Sequence, residues 1–551
     1  MSLNREKKFS RIILVIILTL YALIAIKGLI VVITSKKWAK DYDDPVVASQ
    51  VVRGNITDTE GNILAVEIPV YNLVFMQKEI PSLNDAASLV APYVGLSPAE
   101  ILKICDRYVN YTVIKRHITA ELVPQLKNDI ESAGLANSIL IEKVEGRTYP
   151  ASFHASQIIG FTDNSNHGLE GIEYKYDDLL SPYPGYNESV THGNQVTLTL
   201  DLDIQYLMDI QVQNIIKNES PDYVMAMITN AENGDILAAT SWPWFDLNNF
   251  QTSTEEQRYN RISGYNYEPG SVFKVFTLAS AMEAGIDTET PFYCDGEEIF
   301  NVNGQKFVIS CHEAHGEVSA KEMISKSCNG AIAKWVLQLE PEYFVNFLKN
   351  LSFGTYPESG MTGESKGVLN PISSWSNRSQ ATIAFGQEIA VNALQIMNAA
   401  SAVANDGIRV KPHILKEIID PQGNVVYEES IEKTYVMSAE TAQKIRSYMS
   451  EATKSGTATL ANVPGVDIAS KTGTSQIINS ETNSYEDGTV LASTLALVPS
   501  DKPKYIIYFA VANPKENIWG ANVASPAVAA IVNGMIGQGK IESSIQKKVS
   551  L

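Results

Sequence analysis

Ser271 opens the segment Ser271-Val-Phe-Lys274 directly after Glu268-Pro-Gly270, and the residues that follow are almost all apolar. Positions three apart on a helix share a face, so the Ser271 hydroxyl and the Lys274 amine are expected within hydrogen-bond reach. A serine becomes a nucleophile when a base takes its proton. A lysine among apolar neighbours is a poor ammonium, so its pKa falls and it can act as that base. A helix N-terminus at Ser271 also aims backbone N–H groups at a developing oxyanion. The chemistry implied is acyl transfer through a serine ester.

Ser-x-x-Lys alone is a weak signal, since a chain of this length holds about two by chance. The second one, Ser544 to Lys547, sits in a polar tail with nothing after it and is read as a decoy. Specificity comes from order. Ser327-Cys328-Asn329 follows the first motif, and the single Lys471-Thr472-Gly473 follows that. Other Ser-x-Asn triplets begin at Ser2 and Ser82, outside this order. Ser-x-x-Lys, Ser-x-Asn and Lys-Thr-Gly form one acyl-transfer set. Ser327 is expected to relay a proton between Lys274, Lys471 and the leaving amine. Asn329 is expected to hold a substrate amide and position Lys274. Lys471 supplies charge for a substrate carboxylate, with Thr472 and Thr474 as hydroxyl donors. Gly473 lets the substrate approach the strand. The backbone N–H groups of Ser271 and Thr474 are expected to form the oxyanion hole.

The elements that must position this set fit a chain of 551 residues, long enough for two or three domains. It is 45% hydrophobic and 19% charged, as folded proteins are, and its net charge of -19 speaks against nucleic acid as a partner. Four cysteines are too few for a disulfide scaffold. Residues 1–11 read as a basic cytoplasmic tail and 12–33 as an uncleaved transmembrane anchor. The remainder then lies outside the cytoplasm. Lys27 inside the span either snorkels or faces a partner. Residues 38–180 mix short strands and helices and form a first domain. Residues 181–194, rich in Pro, Gly and polar residues, read as a linker. Residues 195–540 form the catalytic domain, an α+β arrangement with helices packed on a sheet, and 541–551 a polar tail.

These motifs identify a resemblance. The chain is similar to class B penicillin-binding proteins, monofunctional peptidoglycan D,D-transpeptidases, from the anchor to about residue 535. Arg53–Ala65 and Arg147–Glu173 resemble the family's pedestal signatures. "YEPGSVFK", Ala384–Gln395, Ala404–Gly407 and "SKTGTSQ" resemble its transpeptidase signatures. The resemblance implies a serine β-lactamase-like catalytic domain on an elongated pedestal. It also implies acylation of Ser271 by a stem-peptide D-Ala-D-Ala, release of D-Ala, and capture of the acyl group by a neighbouring stem amine. β-Lactams are the implied inhibitors. A membrane glycosyltransferase of the SEDS type and division proteins are the implied partners. "GFTDNSNHGLEGIE" and "WGANVASP" are closer to the division-specific FtsI-type branch than to the elongation branch.

Rival readings remain open. An elongation-type transpeptidase or a D,D-carboxypeptidase would use the same set, and a non-enzymatic β-lactam sensor or division scaffold would carry it without turnover. A class A β-lactamase needs a deacylating glutamate, and in "ESKGVLN" (Glu364–Asn370) Lys366 takes that place. No cofactor is expected. Cys294 with Cys311-His-Glu-Ala-His315 suggests zinc, but adjacent ligands suit a tetrahedral ion poorly, so no metal is expected either. Cys328 is read as a core filler. Cys294 and Cys311 flank an expected hairpin at Asn303-Gly304, which leaves a disulfide open. Glu170 and Glu173 are expected on a solvated face, with a salt bridge to Arg53 as the alternative.

Overall fold

The computed structural model describes residues 19, 22–27, 50–108, 110–184, 190–479 and 484–545. Two compact units emerge, residues 1–51 with 183–191 and residues 52–182 with 192–551. In the first unit, Ala22–Lys27 is helical, with Leu23, Ile24 and Ile26 exposed. The rest of the expected anchor, the tail 1–11 and residues 546–551 lie outside the described residues.

The second unit is α+β. Its catalytic part is built on a five-stranded antiparallel sheet in the order Ala469–Asn479, Ser484–Val498, Tyr505–Ala512, Tyr223–Asn230, Ile236–Trp242. Tyr505–Ala512 is buried at every position. That follows from its unbroken apolar run, which only a sheet covered on both faces can hide. Helices Leu202–Glu219 and Gly520–Gly537 cover one face, enclosing Met208, Val212, Phe509 and Ile531. Helices Lys274–Glu283, Ala393–Ala404 and Ala439–Ser455 belong to the core that includes Phe273, Phe276, Met449 and Tyr508. Gly520–Gly537 is the one helix among the described residues long and apolar enough to cross a membrane. It packs on the sheet and is half buried, as a core helix is.

The pedestal and the catalytic part share a second, seven-stranded sheet. Ile56–Thr57 pairs antiparallel with Ile63–Met76 across a turn at Gly61, and parallel with Gln195–Leu198. Gln195–Leu198 in turn pairs with Leu415–Ile419. Ile63–Met76 also carries Tyr111–Ile118 and Ile139–Thr148. Helices Leu83–Val94 and Pro98–Cys105 begin at the Ser82 and Ser97 N-caps and cover a smaller core with Leu73, Phe75, Val90 and Ile101. Their serines satisfy first-turn N–H groups that a helix leaves unpaired.

Where a solvated face was expected, Glu173 is fully buried between two arginines. Arg53 Nε lies 2.7 Å from its Oε2 and Arg147 Nε 2.6 Å from its Oε1. Arg53 also reaches Asp177 at 2.6 Å. One carboxylate with two lone-pair faces can serve both guanidinium groups, which the sequence spacing does not reveal. Glu170 stays at the surface side, 3.2 Å from Arg258.

Candidate active site

Ser271 lies on a single 3-10 turn, Gly270–Phe273, that feeds the helix starting at Lys274. Gly270 has φ +57° and would bring a Cβ to 2.9 Å from Ser475 Cβ. Its backbone N–H donates to Gly386 O at 3.1 Å. Glycine is needed here because the turn lies against the Lys-Thr-Gly strand with no room for a side chain. A Cβ on Gly473 would meet Val272 Cγ2 at 2.9 Å and Ser493 Oγ at 2.6 Å. So the two motifs touch through two glycines.

Lys274 and Lys471 are both fully buried, and both point at Ser327. Lys274 Nζ donates to Ser327 Oγ at 3.1 Å and to Ser327 O at 2.5 Å. Lys471 Nζ donates to the same Oγ at 3.0 Å and to Thr472 O at 2.8 Å. Ser327 ends the helix Ala320–Lys326 in the left-handed region, φ 60° and ψ 40°. That is a costly conformation for a side-chain-bearing residue, held here where it aims the hydroxyl between the lysines. Burial pushes the Lys274 ammonium down to about 8, opposed by the Cys328 and Cys311 thiols. Burial first, and then the Lys274 charge, holds Lys471 well below its ordinary value. Both shifts favour a neutral amine, the form that takes up a proton.

The remaining expected residues fall as follows. Among the described residues Ser271 is not hydrogen-bonded to Lys274, whose amine is turned to Ser327. The 3-10 turn, rather than the expected α-helix, carries the serine. Asn329 Nδ2 donates to Ser310 O at 2.8 Å and makes no hydrogen bond to Lys274. Thr472 Oγ1 donates to Thr457 Oγ1 at 3.1 Å. Thr474 Oγ1 accepts from Gly520 N at 3.3 Å. The strand Ala469–Asn479 terminates its sheet, with Lys471 opposite Leu495. One row of its backbone groups is thus outside the sheet ladder.

Sequence reasoning missed Ser310 and Thr457, because neither belongs to a motif and their partners are remote in sequence. Cys328, expected as a core filler, is fully buried in the main core, and its thiol also sits 3.8 Å from Cys311 Sγ. Cys294 and Cys311 are free thiols 3.8 Å apart. The hairpin itself forms, Glu297–Val302 against Gln305–Ser310 with Asn303 and Gly304 at positive φ. Glu364, in the β-lactamase-like stretch, accepts from Glu358 N, Ser359 N and Ser359 Oγ at 2.6 to 2.7 Å, which makes it a loop anchor.

A turn bearing Ser271, two buried lysines on one hydroxyl and an edge strand make an arrangement suited to acyl transfer. The model of the penicillin binding protein transpeptidase domain matches residues 224–533, and that of the penicillin-binding protein dimerisation domain matches 48–201. The chain belongs to the penicillin-binding protein transpeptidase family and, with the dimerisation domain ahead, to its class B members. It is 29% identical over 542 residues to stage V sporulation protein D of Bacillus subtilis, covering 93% of this chain and 82% of that one. It is 26% identical to the probable peptidoglycan D,D-transpeptidase FtsI of Caulobacter vibrioides, covering 87% and 80%. Penicillin-binding protein 3 of Mycobacterium tuberculosis, solved with ampicillin, superposes with a TM-score of 0.73 at 25% identity, covering 90% and 97%.

Proposed function

We propose that the chain is a D,D-transpeptidase that cross-links peptidoglycan stem peptides through an ester on Ser271. The observation that carries the reading is the single hydroxyl of Ser327 held between Lys274 Nζ and Lys471 Nζ at 3.1 and 3.0 Å. The named relatives support the reaction class.

The donor peptide lies along the edge strand Ala469–Asn479, adding its backbone to the open row. Lys471, Thr472 and Thr474 take its terminal carboxylate. Neutral Lys274 accepts the Ser271 proton as Oγ attacks the penultimate D-Ala carbonyl. The backbone N–H groups of Ser271 and Thr474 stabilise the oxyanion. The carbonyl–nitrogen bond then breaks. The proton passes from Lys274 through Ser327 Oγ to the departing D-Ala amine. A stem amine attacks the ester, gives up its proton by the same route in reverse, and Ser271 recovers its hydroxyl. Asn329, tied to Ser310, holds the donor's amide.

The chain is anchored through residues 12–33 with its catalytic part outside the cytoplasm, and it works in septal synthesis beside a SEDS-type glycosyltransferase. The apolar run and the FtsI-named relatives support this. The test combines two assays on the full chain. A fluorescent penicillin labels the wild type and not Ser271→Ala, while Ser544→Ala is labelled normally. Lipid-linked precursor with a polymerase yields cross-links that Ser271→Ala does not make. An adduct mapped to another residue of Ser271→Ala overturns the assignment. Labelling with D-Ala release but no cross-link means a carboxypeptidase.

A further inference from the structure

Behind the Ser327 turn, three thiols and one imidazole converge. Cys294 Sγ lies 3.8 Å from Cys311 Sγ, Cys311 Sγ 3.8 Å from Cys328 Sγ, and Cys294 Sγ 3.5 Å from His315 Nδ1. All four donor atoms fall within 4.8 Å of one another. A tetrahedral zinc ion binds thiolate at about 2.3 Å and imidazole at about 2.0 Å. The edges of such a tetrahedron measure about 3.8 Å between sulfurs and about 3.5 Å between sulfur and nitrogen. The three contacts have those lengths. We propose that Cys294, Cys311, His315 and Cys328 bind one structural zinc ion, which fixes the Ser327-Cys328-Asn329 segment in place.

The objection from adjacent ligands disappears in three dimensions. The neighbour of Cys311, His312, turns away and packs edge-on against Trp519, ring centroids 4.7 Å apart. The ligands come from four separate places. Cys294 ends the strand Phe292–Cys294, and His315 precedes its partner strand Gly316–Val318, with Cys294 opposite Gly316. Cys311 follows the strand Gln305–Ser310, and its N–H donates to Gly296 O at 2.8 Å. Cys328 caps the helix Asn329–Val336. Backbone pairing thus assembles the donor set without the ion.

The surroundings suit thiolates. Asn329 N–H points at Cys311 Sγ at 3.2 Å and Ala331 N–H at Cys328 Sγ at 3.4 Å. Both come from the first turn of a helix, where N–H groups and the dipole favour negative charge. Cys294 and Cys328 are fully buried. A Cys294–Cys311 disulfide would use two of the four donors and leave Cys328 and His315 unexplained, whereas one ion uses all four. Four protein ligands close the coordination sphere, so the ion has no open position for water or substrate and its role is positioning.

The consequence reaches the active site by one bond in each direction. Cys328 is flanked by Ser327, which both lysines share, and by Asn329, which is tied to Ser310. On the far side, Trp519 precedes Gly520, whose N–H meets Thr474 Oγ1. The metal loop therefore braces the Ser-Cys-Asn segment directly and touches the Lys-Thr-Gly side through His312.

Metal analysis of the full chain, purified in detergent without chelator, tests this independently of turnover. The expected content is about one zinc per chain. Cys294→Ser and His315→Ala should lose it, and His315→Cys should keep it. After chelator treatment, cobalt(II) should bind one equivalent with a thiolate charge-transfer band and the visible bands of a tetrahedral site. Penicillin acylation should slow on stripping and recover with zinc in the wild type, but stay slow in His315→Ala. If the variants do not fold, the cobalt titration of wild type decides. A chain with less than about a tenth of a zinc and no cobalt spectrum overturns the proposal. So does a Cys294–Cys311 disulfide mapped in the protein as purified.

Discussion

Lys274 and Lys471 share one hydrogen-bond partner, with Ser327 Oγ 3.1 Å from one amine and 3.0 Å from the other. Two buried ammonium groups so close would repel, and among the described residues neither has a carboxylate as a hydrogen-bond partner. One proton fewer relieves this, and the hydroxyl can then accept from one amine and donate to the other. In the proposed reaction this pair stores the proton and the hydroxyl between them passes it on.

This gives a pH dependence. The folded value for Lys274 is about 8, below the ordinary 10.5, so its basic form grows as pH rises toward 8. Acylation of Ser271 by a fluorescent penicillin should rise about tenfold per pH unit below that value and level off above it. Lys274→Ala should remove the rising limb and cost about 10²- to 10⁴-fold. Stopped-flow acylation rates between about pH 6 and pH 9 check both. A flat wild-type profile would show that Lys274 does not take the serine proton.

Gly473→Ala tests the contact between motifs. The new Cβ would sit 2.9 Å from Val272 Cγ2 and 3.2 Å from Pro269 O, on the turn that carries Ser271. Ser493 Oγ at 2.6 Å can rotate away, but the turn must shift. A displacement approaching 1 Å costs about 100-fold in a positioned reaction. Stability should fall by about 1–3 kcal/mol. Acylation rate and thermal midpoint, measured together, separate the two effects.

Glu173→Ala tests the pedestal. It strips both Arg53 and Arg147 of their shared buried partner. Breaking one side of a buried ion pair costs about 3–5 kcal/mol. Urea unfolding should show that loss. Acylation per folded molecule should stay near wild type, because the cluster touches none of the catalytic groups. Equal stability in the variant would mean that water or Asp177 takes over the charge.

How far these features could be read in advance depends on sequence distance. Ser271, Lys274, Ser327 and Lys471 sit in short motifs whose order alone suggests their chemistry. The buried strands Tyr223–Asn230 and Tyr505–Ala512 announce themselves as apolar runs. The parallel pairing of Ile56–Thr57 with Gln195–Leu198 does not, since nothing local encodes a partner so far along the chain. The same holds for Thr472 with Thr457, whereas the Arg53–Glu173 pair stood as an open alternative and only its burial and the share of Arg147 in it were hidden. The Ser271 turn illustrates a subtler gap. Periodicity cannot distinguish a 3-10 turn from the first turn of an α-helix, because both bring residues three apart together.

Glu364 offers the sharpest separation of a transpeptidase from a β-lactamase. It stands in a stretch that resembles the β-lactamase deacylation loop, yet its carboxylate is spent on Glu358 N, Ser359 N and Ser359 Oγ. With its oxygens occupied by these three donors, the carboxylate is held in its own loop and is poorly placed to orient an attacking water. The penicilloyl ester on Ser271 should therefore outlast any assay in which a β-lactamase turns over. Glu364→Gln should leave the slow deacylation rate unchanged and lower stability by about 1 kcal/mol through the weakened loop anchor. Intact-mass spectrometry of the adduct over hours, with a thermal midpoint for each protein, measures both. A large further slowing of deacylation in Glu364→Gln would instead place Glu364 in the hydrolytic step.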